Sequence, residues 1–171
     1  FQFSGMMLEG TTVVFSPLIA LMREQVNKLK ELGLPAAYIN STLSPEEKEE
    51  ALHKAERGEF KLLYIAPERQ GDEKWQEAVR KMRLGMVVVD EAHCISAWGH
   101  DFRPDYRRIV NVVRHLQDDF PVLACTATAT LRVQKDIEKQ FNNLKLTVLR
   151  GSLGRNNFEL NVVQCESQEA K

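Results

Sequence analysis

Val87-Val88-Val89-Asp90-Glu91-Ala92-His93 sets two adjacent carboxylates and an imidazole directly behind a run of β-branched residues, and Cys94 to Pro104 continues it with a stretch that is aromatic and polar together. An apolar strand ending in Asp-Glu delivers a carboxylate to the carboxyl edge of a sheet, where α/β folds bind their ligands. Asp90 suits a magnesium ion that bridges nucleotide phosphates, and Glu91 suits orienting or deprotonating an attacking water. Consecutive residues at a strand end diverge in direction, so one can face the metal and the other the γ-phosphate. The plainer reading is a solvated strand-end Asp-Glu pair.

The elements that would position these groups are legible as alternating β-rich runs and helical patterns, which favour a parallel sheet with helices on both faces. Thr11 to Phe15 is predicted as the first strand, followed by a helix over 17–32 in which Leu18, Leu21, Met22, Val26 and Leu29 recur at helical spacing before Gly33. Ala36 to Asn40 reads as the second strand. Ser44-Pro45-Glu46-Glu47 then opens a charged helix to about Arg57, with serine capping, proline at the first helical position and glutamate at the third. Lys61 to Ala66 is a third strand, Lys74 to Met82 a helix, and Met86 to Val89 a fourth, wholly apolar and therefore central strand. Asp105 to Leu116 reads as helix, Val122 to Cys125 as strand, Leu131 to Phe141 as helix, and Lys145 to Leu149 as a sixth strand. Beyond Gly151 the pattern loosens through Phe158 to Val163 and frays from Glu166 to Lys171.

At 171 residues with 43% hydrophobic content, the chain fits one domain with an ordinary core. Its net charge of −1, from 23 basic and 24 acidic residues, gives no global positive field, so any nucleic-acid contact has to be local. The three cysteines, Cys94, Cys125 and Cys165, lack metal-ligand spacing and read as reduced thiols of a cytosolic protein. No apolar run approaches the roughly 18 residues that span a bilayer, and no basic segment followed by an apolar one opens the chain, so neither membrane insertion nor export is expected.

Four segments line up in order: Ser16-Pro17-Leu18-Ile19-Ala20-Leu21-Met22, Tyr64-Ile65-Ala66-Pro67-Glu68-Arg69, Asp90 to Pro104, and Thr126-Ala127-Thr128-Ala129. Together they resemble the first motor domain of the RecQ family of superfamily 2 DNA helicases, over Phe1 to about Phe158. The resemblance implies a RecA-like P-loop NTPase fold, incomplete at its N-terminus, with residues 1–150 a partial motor domain and 151–171 the start of the link to a second one. It implies an ATP-dependent, magnesium-dependent motor that moves 3′ to 5′ on single-stranded and forked DNA in repair and recombination. The compartment would be the cytoplasm, at the nucleoid, in a bacterium and the nucleus in a eukaryote. RNA helicases of the same superfamily usually carry aspartate where this chain has His93 and serine where it has Thr126, and lack the Trp98-to-Pro104 stretch.

In this resemblance Asp90 and Glu91 serve Mg-ATP, and His93 helps link hydrolysis to movement, although a lone histidine is more often a structural hydrogen-bonder. Thr126 and Thr128, at the end of the next strand, could bond to the Asp90–His93 turn as a coupling element, or could simply pack. Ser96 to Arg103 resembles an aromatic-rich loop that senses single-stranded DNA. Trp98 and Phe102 would offer π-faces to bases at about 1 to 3 kcal/mol each, Arg103 would meet a phosphate, and His100 would join them; the alternative is that both aromatics are core. Ser16 and Arg69 match motifs that track the DNA backbone. Ser16 would hold a phosphate at the N-terminus of the helix or plainly cap it, and Arg69 is otherwise a solvated charge. Arg155 and Asn157 match the family's Arg-Pro-Asn link, with Asn156 in place of proline.

No glycine-rich loop with Lys and Ser or Thr occurs in these residues, so the cradle for the β- and γ-phosphates is absent from them, as are the adenine-recognising glutamine motif and the second motor domain with its arginine finger. Phe1 to Gly10 matches the helix that follows the cradle. The chain is therefore expected to be a fragment, inactive in ATP hydrolysis by itself. In this family the strand before the cradle is central, beside those ending at Phe15, Asp90 and Cys125, so its loss is expected to leave unpaired strand edges there. The competing reading is a non-catalytic DNA- or protein-binding module that has lost the cradle.

Overall fold

The computed structural model describes residues 1–116, 120–141, 146–151 and 161. Its frame is a five-stranded, all-parallel sheet in the order β2-β3-β1-β4-β5, built from β1 (Thr11–Phe15), β2 (Ala36–Ile39), β3 (Leu62–Ile65), β4 (Leu84–Val89) and β5 (Val122–Ala124). The helices α1 (Gln2–Met7), α2 (Ile19–Glu31), α3 (Pro45–Glu56), α4 (Glu73–Lys81), α5 (Pro104–His115) and α6 (Leu131–Gln140) flank it, with short 3-10 turns at Pro67–Gly71 and Ala92–Ile95. The expected α/β architecture is present.

Strand alternation sorts the core onto two faces. Val14, Leu62, Tyr64, Met86 and Val88 point to the side where Met22, Val26 and Leu29 of α2 pack; Val13, Phe15, Leu63, Ile65, Val87 and Val89 point to the other, against α3, α4 and α5. On the α1 side, the Tyr64 hydroxyl donates to Gln25 Oε1 at 2.7 Å and accepts from Gln2 Nε2 at 2.7 Å, which satisfies buried polar groups beneath the helix. The expected cap of α3 forms as a full capping box: Ser44 Oγ accepts from Glu47 N at 3.1 Å and Glu47 Oε2 accepts from Ser44 N at 2.7 Å.

Three expectations are corrected. The sheet has no gap beside β1, β4 and β5: β4 hydrogen-bonds directly to β1 on one side and β5 on the other, so the free edges among the described strands belong to β2 and β5. The helix after β1 starts at Ile19, not Pro17, because Leu18 keeps an extended backbone (φ −107°, ψ 96°) and serves as its N-cap. Of the proposed sixth strand, 146–149 forms no strand pairing and Lys145 lies outside the described residues; Leu149 stands 91% exposed. The link residues Arg155, Asn156 and Asn157, and the run from Phe158 to Val163 except Asn161, also fall outside the described residues.

Candidate functional site

β4 is buried along its whole length and stops where Asp90 meets water at the carboxyl edge of the sheet. Asp90 still bridges the neighbouring strands, its N–H donating to Phe15 O at 2.9 Å, and the next turn is pinned by Ala92 N donating to Cys125 O at 2.9 Å. Between them Glu91 takes a left-handed conformation (φ 50°, ψ 46°), the one positive φ among the described non-glycine residues. Such a backbone costs on the order of 1–3 kcal/mol and persists where its surroundings over-determine it. Here Glu91 N donates to Asp90 Oδ1 at 3.0 Å and Cys94 N to Glu91 O at 2.9 Å. The sharp turn sends the two carboxylates to different partners.

The Asp90 carboxylate faces Ser16 Oγ at 3.4 Å through Oδ2 and the Cys125 thiol at 3.6 Å through Oδ1. Both neighbours are neutral, and among the described residues no lysine or arginine pairs with it. Burial first, and then the Asp90 charge, push the Cys125 thiol up to about 11, so it stays a thiol. A half-buried carboxylate without a counter-cation fits a hard divalent ion such as magnesium, which is commonly held through one or two carboxylates. From below, the buried Tyr106 hydroxyl donates to Asp90 O at 2.9 Å.

Glu91 turns the other way, and its Oε2 lies 3.1 Å from His93 Nδ1. The same nitrogen lies 2.9 Å from Thr126 Oγ1 and 3.3 Å from Thr128 Oγ1. A carboxylate only accepts, so this surrounding assigns the proton to Nδ1. His93 is buried and its ring stacks on that of His100 with centroids 4.4 Å apart. Asp90, Glu91, His93, Thr126 and Thr128 are thus brought together at the ends of β4 and β5.

The polar-aromatic stretch leaves this cluster as a surface loop. Trp98 is 59% exposed and Phe102 37%, which removes the reading of both as core. Each has a cation against its ring: Arg132 with its guanidinium carbon 3.3 Å from the Trp98 centroid, and Arg107 at 4.9 Å from that of Phe102. Arg103 closes the loop, donating from Nη2 and Nε to Asp101 Oδ2 at 2.8 and 3.1 Å and from Nη1 to Pro17 O at 3.4 Å. That hydrogen bond holds the Asp101 carboxyl below its ordinary range. Donor atoms of His93, Cys94 and Asp101 gather within 4.8 Å, but each is engaged by protein: burial raises the Cys94 thiol to about 11, and Asp101 holds Arg103.

Ser16 is buried at the end of β1 with its hydroxyl on Asp90, so it neither caps α2 nor faces solvent. Arg69 lies apart, in the Pro67–Gly71 turn after β3, with Nη1 3.7 Å from Asp72 Oδ2. Sequence reading overlooked Tyr106, Arg132 and Asp136. The last two stand at i and i+4 on α6, a spacing that puts both on one helix face.

Residues 5–137 match the family model described as DEAD/DEAH box helicase. The chain belongs to the DEAD/DEAH box helicase family. Among curated proteins, this family member is 44% identical over 169 residues to "ATP-dependent DNA helicase RecQ" of Bacillus subtilis (strain 168), covering 99% of the chain and 29% of that protein. It is 43% identical over 143 residues to "ATP-dependent DNA helicase Q5" of Rattus norvegicus (80% and 15%), and 36% identical over 170 residues to "RecQ-like DNA helicase BLM" of Xenopus laevis (95% and 12%). The helicase-family chain thus spans under a third of the length of these relatives. In fold it is similar to the C-terminal domain of the DEAD-box protein Dbp5 (TM-score 0.62, 14% identity, 85% of this chain and 78% of that one) and to the Pyrococcus furiosus Hef helicase domain (TM-score 0.55, 19% identity, 78% and 27%). Its sheet and flanking helices are those of a RecA-like helicase domain. No described helix is long and apolar enough to cross a membrane.

Proposed function

We propose that the chain is the greater part of the first motor domain of a RecQ-type, ATP-dependent DNA helicase. On this reading residues 1–150 form the nucleotide- and DNA-facing unit, and 151–171 begin the link to a second motor domain. The observation that carries the reading is proximity: Glu91, His93 and the exposed aromatic loop lie on one short chain segment leaving β4, and Thr126, just after β5, meets His93 there.

Asp90 would hold the magnesium ion, with Ser16 Oγ orienting its carboxylate and Tyr106 fixing its carbonyl. Bound there, the ion would supply charge neutralisation of the nucleotide phosphates. Glu91 would orient the attacking water and accept its proton. His93, whose Nδ1 proton faces Glu91 and the two threonine hydroxyls, would tie that base to the strand end that follows β5. Trp98, Phe102, Arg103 and His100 would report single-stranded DNA, and Arg69 would serve a backbone-tracking motif, whereas Ser16, buried with its hydroxyl on Asp90, would serve the metal ligand instead. The lysine-bearing phosphate loop would come from outside these residues, and 3′-to-5′ translocation, forked-DNA unwinding and a role in repair and recombination belong to the whole protein.

The test is the ATPase rate of the whole protein with and without a single-stranded oligonucleotide and magnesium. Glu91→Gln is expected to lower the stimulated rate by at least about a hundredfold, the usual worth of a general base. An unchanged rate overturns the assignment. The same assay separates this reading from a non-catalytic DNA- or protein-binding module, which requires no ATP turnover by the whole protein at all.

A further inference from the structure

The feature of the aromatic loop that its role as a DNA contact leaves unexplained is its double attachment to α6. Ser96 is fully buried, and its hydroxyl donates to Asp136 Oδ2 at 2.7 Å while accepting from the Trp98 backbone N–H at 3.1 Å. One turn earlier on the same helix, Arg132 lies over the Trp98 ring at 3.3 Å. We propose that Arg132 and Asp136 are positioning residues, which hold the Trp98 indole with one face on the protein and the other open to a base of single-stranded DNA.

Geometry supports this division of the ring. An indole with a guanidinium at van der Waals distance on one face, yet 59% exposed, leaves its opposite face to solvent. A cation behind the ring adds positive charge where a strand must pass, and a flat group fixed in advance loses little freedom when a base stacks on it. The Asp136–Ser96–Trp98 chain does for the backbone what Arg132 does for the ring: it ties the Trp98 peptide N–H to α6 through Ser96 Oγ.

α6 also lies next to the His93 cluster. The helix is capped by Thr130, whose Oγ1 accepts from Val133 N at 3.3 Å, two residues after Thr128. Thr126 and Thr128 touch His93 Nδ1, and Arg132 and Asp136 touch the loop. One continuous segment therefore grips both the Glu91–His93 cluster and the DNA-facing indole, so a displacement of Trp98 by a bound strand reaches the cluster through α6 as well as through the loop itself.

This inference rests on the reading of the loop as a DNA sensor, and the experiment separates the two. The whole protein is labelled with 5-fluorotryptophan, the Trp98 resonance is assigned by Trp98→Phe, and both that resonance and the ATPase rate are followed while an oligothymidylate is added. Arg132→Ala and Asp136→Ala are expected to shift the Trp98 resonance in the DNA-free protein and to raise the half-saturating oligonucleotide concentration about fivefold or more, the scale of one exposed cation–π contact or stacking partner. Arg132→Lys and Asp136→Asn, which keep a cation and an acceptor oxygen, are expected to restore most of the affinity. If the Trp98 resonance of the unaltered protein ignores the oligonucleotide, the sensor reading falls. If it responds but Arg132→Ala binds as well as, or better than, the unaltered protein, the positioning role is overturned. It is likewise overturned if affinity drops with the DNA-free Trp98 resonance unmoved, since Arg132 would then meet the DNA directly.

Discussion

Oε2 of Glu91 lies 3.1 Å from Nδ1 of His93, although only one residue separates them, and Thr126 Oγ1 approaches that same nitrogen at 2.9 Å. An ordinary extended or helical residue at position 91 would continue the strand direction or start a regular turn; the left-handed Glu91 instead folds its carboxylate back toward the imidazole. The proposed base and its link to the next strand are thus one hydrogen-bonded unit, so its members can be tested separately.

Thr126→Val keeps the branched shape and removes the hydroxyl. It is expected to lower the DNA-stimulated ATPase rate of the whole protein about tenfold, the worth of one hydrogen bond of about 1.4 kcal/mol, with fold and melting temperature little changed. Steady-state ATPase assays with and without single-stranded DNA check this. Equal stimulation in the variant removes Thr126 from the coupling path.

Gly99 approaches the chain it turns past so closely that an added Cβ would lie 2.5 Å from His93 O and 3.2 Å from Ser96 O. The obstacle is backbone, which cannot rotate away as a side-chain tip can. Gly99→Ala is expected to destabilise the protein by about 1–3 kcal/mol and to weaken stimulation by single-stranded DNA, because relief requires the loop to move off His93. Thermal unfolding and an oligonucleotide titration of the ATPase rate measure the two effects. Gly58→Ala is the contrast: its cost comes from a φ of +71° with nothing within 4 Å, so it should leave the DNA response intact.

The parts of this site legible from sequence were those written in local pattern. The apolar run into Asp90-Glu91 placed the carboxylates, and Ser44-Pro45-Glu46-Glu47 specified a capping box that forms in full. Local pattern misled where a tertiary partner decided the outcome. Ser16-Pro17 has the form of a helix start, yet Ser16 is buried on Asp90 and the helix waits until Ile19. Leu146 to Leu149 has β-forming residues, but strand formation needs a neighbouring edge, and among the described residues none pairs with it. Arg132 and Asp136 were invisible for the same reason: charged residues one turn apart read as a solvated helix face until the loop from β4 is seen to lie against them.

Both described cysteines should be poor nucleophiles. Burial raises the Cys94 and Cys125 thiols to about 11, with Asp101 and Asp90 adding to it, against about 8.5 for a free cysteine. At pH 8 their thiolate fraction is on the order of a thousandth, so iodoacetamide should label the Cys94 and Cys125 peptides about a hundredfold more slowly in the folded protein than in denaturant. The rate should climb about tenfold per pH unit toward pH 11. Because the folded values lie above the unfolded ones, the contribution of these groups to stability is full below about pH 8.5 and is lost as pH rises toward 11. Peptide mass spectrometry after timed alkylation, with denaturation midpoints across pH 8 to pH 11, checks both statements.

Tyr106 connects the core to the proposed metal ligand. It is fully buried in α5 and its hydroxyl donates to Asp90 O at 2.9 Å, while burial drives its ionisation above the ordinary tyrosine range. Tyr106→Phe keeps the ring packed against Ile109 and its neighbours and leaves the Asp90 carbonyl without this donor. The expected loss is about 1 kcal/mol, or a melting temperature lower by about 2–4 °C in a chain of this size. With the carbonyl freed, the Asp90 carboxylate should be held less firmly, so the magnesium concentration that half-saturates ATP hydrolysis by the whole protein should rise with kcat less affected. A drop in melting temperature with an unchanged magnesium requirement would make Tyr106 a packing residue alone.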